Sequence, residues 1–291
     1  MKKPDVFKVL LFLLVALPLT SCEKPLLTES SDGQKPDGNL VVSIFQIEQT
    51  PFASLTRTAA ADVCTRLNYA VYALDGTRVK QVNQKSEDGG FGVASFQLEQ
   101  GNYQLVVVAH SSNGNPAMTD PTCIKFTNAQ GYTDTFLCSG DVSINDEPVE
   151  MQVSLDRIVA LCRFEITDEL IPSEVKKMRF YYTGGSGAFN AATGLGSVNS
   201  KQTMTFDVSG GQKQFDLYTF LHDKESAINL KVTALDGDDN VLYERDFDVP
   251  MAQNHITWLS GAYFTGSGSS ASVISGVTVN TDWAGETHLT F

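Results

Sequence analysis

Apolar and polar positions alternate in steps of two along most of this chain, the spacing that sets successive side chains on opposite faces of a strand. Leu67, Tyr69 and Val71 put three large side chains on one face, and the Asp75-Gly76 dipeptide that follows is a turn signal leading to a return strand over 78–82. A second pair, 93–98 and 103–109, is separated by Glu99-Gln100-Gly101-Asn102, a turn-like stretch. The same pattern predicts strands over 40–47, 149–155, 158–166, 178–182, 204–208, 215–221, 228–235 and 241–249. Within 158–166 the alternation of Val159, Leu161 and Phe164 is less clean. Only 169–177 has helical promise, and Pro172 limits it. Short strands with Gly and Asp turns between them predict an all-β protein of Greek-key β-sandwiches.

The first two dozen residues follow another rule. A basic start, Met1-Lys2-Lys3, precedes an apolar run over 9–17 and then Pro18-Leu19-Thr20-Ser21-Cys22, the order of a secretory signal. The run is too short to cross roughly 30 Å of hydrocarbon, which takes about 20 residues. Leu19-Thr20-Ser21-Cys22 resembles the lipobox read by bacterial lipoprotein signal peptidase. That resemblance implies cleavage between Ser21 and Cys22 and acylation of the Cys22 thiol. Several acyl chains, at about 0.8 kcal/mol per buried CH₂, give lasting attachment, so the expected mature chain is tethered to the membrane by lipid.

Charge changes the list of partners. Loss of residues 1–21 removes three lysines and one aspartate and moves the net charge from −13 to −15. Such a surface repels nucleic acid and anionic headgroups, so no nucleic-acid partner is expected. Residues 22–38, rich in Ser, Asp, Gly, Pro and Lys, bury no core and read as a membrane-proximal spacer. The remainder fits two sandwiches, with a seam near Leu155-Asp156 dividing it into 39–155 and 156–291. Beyond Cys22 stand Cys64, Cys123, Cys138 and Cys162. An even number outside the cytosol permits disulfides in three pairings, and four free thiols fit equally well. Cys123 with Cys138 is the most local pairing.

The lipobox, LNYAVYALDG (67–76), FQLEQGNYQLVVVA (96–109), LDRIVALCRFEIT (155–167) and NHITWLSGAYF (254–264), taken in this order, resemble the FimB-type fimbrial subunits of Bacteroidales, within the fimbrillin-like superfamily. The resemblance covers most of the mature chain. It implies two transthyretin-like β-sandwiches in tandem, display on the outer membrane, and other fimbrial subunits as partners. The implied role is that of an anchor that attaches a fimbria and limits its length, with strand addition as the mode of contact. By the same resemblance, polymerising relatives lose their first strand to a protease cutting after arginine. Here Arg57, in Leu55-Thr56-Arg57-Thr58 beyond the first strand, is the candidate cleavage site, and its plainer reading is an exposed loop residue.

The tail poses a related choice. After the linker Gly266-Ser267-Gly268-Ser269-Ser270, the stretch 271–280 alternates Val273, Ser275, Val277 and Val279. It reads as the last strand of the second sandwich, with Trp283 plugging its end, or as a donor strand for a neighbour; the first is the preferred reading. Enzymatic signatures are weak, and neither catalytic residues, a metal, a cofactor nor a small-molecule substrate is expected. His110, His222, His255 and His288 lie far apart. Gly184-Gly185-Ser186-Gly187-Ala188 misses the nucleophile elbow at its last residue and reads as a loop. Asp236-Gly237-Asp238-Asp239-Asn240 reads as a hairpin turn, because Val241 and Phe247 stand where a calcium loop needs Gly and Glu. The alternative from another class is a surface glycan-binding lipoprotein with an aromatic platform, for which Trp258, Trp283 and Tyr181-Tyr182 are the candidates.

Overall fold

The computed structural model describes residues 38–47, 60–127, 131–265, 272–274 and 283–291. The protein is almost entirely β, in two tandem sandwiches. The first contains β1 (Leu40–Ile47), β2 (Arg66–Ala73), β3 (Arg78–Lys85), β4 (Val93–Phe96), β5 (Gly101–His110), β6 (Ile124–Lys125), β7 (Thr135–Ile144) and β8 (Val149–Arg157), with one short helix, α1 (Ala60–Val63). Strands β3-β2-β5-β7 form one layer and β8-β1-β4 the other. They meet at a corner where Phe136 pairs with Arg157 and Leu137 with Asp156.

The second sandwich begins two residues later. It contains β9 (Ala160–Ile166), β10 (Lys177–Gly185), β11 (Ala188–Phe189), β12 (Ser200–Asp207), β13 (Gln214–Thr219), β14 (Glu225–Leu235), β15 (Val241–Ala252), β16 (His255–Gly261), β17 (Ser272–Ile274) and β18 (Gly285–Thr290). Its layers are β12-β10-β14-β15 and β13-β9-β16-β18-β17. Strand for strand, β1, β2, β3, β4, β5, β7 and β8 correspond to β9, β10, β12, β13, β14, β15 and β16. In both, the first strand lies between an antiparallel neighbour (β4 or β13) and a parallel one (β8 or β16).

Three apolar clusters account for the sequence pattern. Leu67, Tyr69, Val71, Leu105 and Val107 fill the first sandwich, and Phe164, Phe180, Phe215, Val232 and Leu259 fill the second. A third cluster lies between them: Ala70, Tyr72, Val106 and Val108, on the outer face of β2 and β5, meet Leu161, Phe220 and Ile256. Double burial explains why β5 and β9 lack clean alternation, since both faces of each strand are covered. The small strands β6 and β11 pair across this junction, Ile124 with Phe189, and Phe126 stacks on Phe220 at 5.8 Å.

The turns form as their residues dictate. Asp75 accepts the Thr77 amide at 2.9 Å while Gly76 takes a φ of 84°, a conformation closed to most side chains. Asp236 accepts the amides of Asp238 and Asn240, each at 2.9 Å, and closes the hairpin from β14 to β15. The stretch 169–177 forms turns rather than a helix; Pro172 lacks the amide a helix would use, and its carbonyl accepts from Val175 at 3.0 Å. Gly184-Gly185 ends β10 in a packed bend, not a loose loop: a Cβ on Gly185 would lie 2.0 Å from the Thr219 hydroxyl.

Candidate functional site

The first strand is inserted rather than laid on. Strand β1 pairs with β4 from Leu40–Phe96 to Ser43–Val93, and with β8 from Leu40–Val149 to Ile47–Leu155. The Ile44 amide extends the first ladder to the Gly92 carbonyl at 2.9 Å. Asn39 fixes its start, donating to the Leu98 carbonyl at 2.8 Å and accepting the Leu98 amide at 2.9 Å. Leu40, Val42 and Ile47 are buried in the first core, each contributing roughly 1.5–3 kcal/mol. Without β1, strands β4 and β8 would border a groove with two unpaired backbone rows and an open core.

At its far edge the second sandwich carries an addition. Strand β18 lies parallel to β16 from His255–Gly285 to Ser260–Thr290, and the Phe291 amide donates to the Ser260 carbonyl at 3.1 Å. Leu289 enters the second core, and Phe291 stacks on Phe164 at 5.2 Å and meets Phe247 at 4.8 Å. In the first sandwich the equivalent strand, β8, pairs with β1 along one side and meets β7 on the other only at its C-terminal end.

The two sandwiches are locked by Arg157, whose side chain is 4% exposed. Its guanidinium donates to both carboxylate oxygens of Asp134, at 2.8 and 2.9 Å, and to Asn254 at 3.2 Å. It also lies 4.0 Å from the centre of the Trp283 ring and 4.9 Å from that of Phe136. Asp134 and Phe136 belong to the first sandwich, Asn254 and Trp283 to the second. Nearby, His110 is fully buried; its Nε2 donates to Asn68 Oδ1 at 2.8 Å and its Nδ1 accepts the Ser112 amide at 3.1 Å, which sets the neutral tautomer. Burial, then the positive charge of Arg66, pushes its pKa down to about 4.

The aromatic candidates do not form an open platform. Trp283 is buried in the junction between the sandwiches rather than at the end of the second one, and of the expected last strand 271–280 only 272–274 lie among the described residues. Trp258 is held in a cross-strand row: Arg163 lies 5.0 Å from its ring, His288 stacks on it at 5.6 Å, and its Nε1 donates to Glu286 at 3.2 Å. Asp216 completes the row with two bonds to Arg163, at 2.6 and 2.7 Å. Tyr182 is buried and donates to the Tyr218 carbonyl at 2.9 Å, whereas Tyr181 lies on the outer face.

Ser21, Cys22 and Arg57 lie outside the described residues. Cys64, Cys123, Cys138 and Cys162 are free thiols in this structure, so no bond joins Cys123 to Cys138. Burial pushes the Cys64 and Cys162 pKa values up to about 12, which keeps both unreactive. Among the described residues no helix is long and apolar enough to cross a membrane. Sequence reasoning missed Arg157; the signal available was a charged residue between two apolar strands, where charge persists only if paired.

Residues 36–290 match a family model described as "Family of unknown function (DUF6562)". The comparison with curated proteins gives no match. Among solved structures, a candidate adhesin from Bacteroides ovatus ATCC 8483 is similar at 15% identity and a TM-score of 0.46, over 72% of this chain and 82% of that chain. The fimbrial anchor protein Mfa2 from Porphyromonas gingivalis is similar at 13% identity and a TM-score of 0.43, over 71% and 81%. A fimbrial assembly protein from Parabacteroides distasonis ATCC 8503 is similar at 14% identity and a TM-score of 0.38, over 76% and 89%.

Proposed function

We propose that this chain, which belongs to that family of unknown function, is a lipid-anchored subunit of a surface fimbria, namely the anchor that attaches the fimbria to the outer membrane and limits its length. The observation on which the reading rests is that β1 is seated in the first sandwich of the uncleaved chain, paired on both sides and buried through Leu40, Val42 and Ile47, a state that an anchor keeps and a polymerising subunit holds only until it is cut. An anchor must keep this strand, because the same stretch of chain leads back to Cys22 and its lipid. A polymerising subunit must vacate it. The lipobox, the four segments that resemble FimB-type subunits and the spacer-like composition of 22–38 support the same reading. The glycan-binding alternative is disfavoured by the burial of Trp283 and the occupation of both faces of Trp258.

Mass spectrometry of protein extracted from the cell surface tests the proposal. The expected N-terminus is acylated Cys22. An N-terminus at Thr58, following a cut after Arg57, would replace the anchor with a polymerising or tip subunit.

A further inference from the structure

If β1 stays in its groove, as the anchor reading requires, that groove is closed to the next subunit and a contact by strand addition needs another edge. We propose that the bare edge of β8 receives an extended strand from a neighbouring subunit, added parallel to β8 as β18 is added to β16. The nature of the occupant, a fimbrial subunit, rests on the anchor reading; the location rests on the repeat alone.

Backbone direction along β8 follows from two hydrogen bonds. The Val149 amide donates to Asn39 at 2.8 Å, on the β1 side, and the Ile158 amide donates to Thr135 at 3.0 Å, on the β7 side. Because the N–H and C=O of one strand residue face the same neighbour, and successive residues alternate, Met151 and Val153 face β1 while Glu150, Gln152 and Ser154 face outward. Among the described residues no strand lies beside those three on that side. In the second sandwich the corresponding side of β16 carries Ser260, whose carbonyl is taken by Phe291 at the end of β18.

Side chains mark the same place. Beyond the Leu137–Asp156 pair, β7 and β8 separate; the hollow at that end has Cys138, Ser139, Ser154 and Asp156 on one side and residues 191–194, Lys224 and Gln253 of the second sandwich on the other, so the open part of the edge is the stretch from Glu150 to Gln152. Val149, Met151 and Cys138 are only partly buried against the first core. In the second sandwich the matching seam is closed by Leu289 and Phe291. The other edges of the first sandwich are protected. Strand β3 carries Arg78, Lys80 and Lys85, and the Gln84 side chain binds the Val93 carbonyl at 2.6 Å and the Gly92 amide at 3.1 Å beside β4. The ligand class is therefore an extended peptide that ends in an apolar and an aromatic side chain two residues apart, as Leu289 and Phe291 do.

A peptide of residues 283–291 is the probe, and amide hydrogen exchange on the full mature chain is the readout. In the free chain the amides of Glu150, Gln152 and Ser154 should exchange fast while those of Met151 and Val153 are protected. Bound peptide should slow the first three by about tenfold or more. Gln152→Pro removes an outward N–H, leaves the β1 ladder intact, and should weaken the peptide by about tenfold or more. If that variant fails to fold, the exchange pattern of the unaltered chain still decides. The proposal is overturned by no binding at millimolar peptide, by protection appearing at β16 as the peptide displaces β18, or by Glu150, Gln152 and Ser154 being protected in the free chain, which would mean the chain's own spacer covers the edge. None of these results alters the mature N-terminus, so the anchor reading stands or falls separately.

Discussion

Along β16 the second sandwich carries a strand formed by residues 285–290, with Leu289 and Phe291 sealing the seam; along β8 the first sandwich has the same geometry and, among the described residues, no such strand. The layer order is otherwise repeated, down to a first strand held between one parallel and one antiparallel neighbour. A completed edge and an uncompleted one on otherwise matched frames show that closure here is an added part. The fold tolerates both states.

Removing the added part should produce the largest effect. Ending the chain at Asp282 removes Trp283, Leu289 and Phe291 and should cost about 5 kcal/mol in urea unfolding, from three large apolar groups at roughly 1.5–3 kcal/mol each. A loss below about 1 kcal/mol would mean β18 is not part of the folded second sandwich. In the first sandwich, where no described residue seals the β8 edge, stability rests on β1 instead. Leu40→Ala, at a fully buried site, should cost about 3 kcal/mol by the same measurement.

The junction comes next. Arg157→Leu strips Asp134 of its partner and uncouples the sandwiches; about 2 kcal/mol and a second unfolding transition are expected in calorimetry. His110 supplies a pH dependence. Its folded pKa of about 4 lies below its unfolded value near 6.5, so the unfolded chain takes up the proton first. His110 thus has no effect on stability above pH 6.5 and destabilises progressively as pH falls toward 4. His110→Gln should flatten that slope, and an unchanged slope would clear His110 of the role.

The smallest effect is the most telling about the two edges. One proline placed on each should have opposite consequences: Ser260→Pro removes an N–H facing β18 and should cost about 3 kcal/mol, whereas Gln152→Pro on the bare edge should stay within about 1 kcal/mol of the parent. Equal losses would mean that the β8 edge is paired after all.

Much of this was legible in the sequence. Strand β1 runs over the residues its alternation predicts, and Asp75-Gly76 and Asp236 to Asn240 make the turns their side chains favour. Strand β7 escaped because Ser139-Gly140-Asp141 interrupts its apolar pattern at the place where it leaves β8. Strand β18 escaped because Leu289 is its one buried apolar residue. Which edges are filled was beyond reach in principle: β16 pairs with β9 across roughly a hundred residues of chain, and parallel partners leave no local turn signal. Arg157 shows the same limit, since its partners Asp134 and Asn254 come from different sandwiches.

The parallel pairing of β1 with β8 has a mechanical consequence. A pull on the chain preceding Leu40, resisted through β8, drags β1 lengthwise past its neighbour and loads the register pairs from Leu40–Val149 to Ile47–Leu155 together. Shear of this kind shares tension among many hydrogen bonds, whereas a hairpin opened from its end breaks them one at a time. A short strand in this arrangement withstands a force that would peel a longer one.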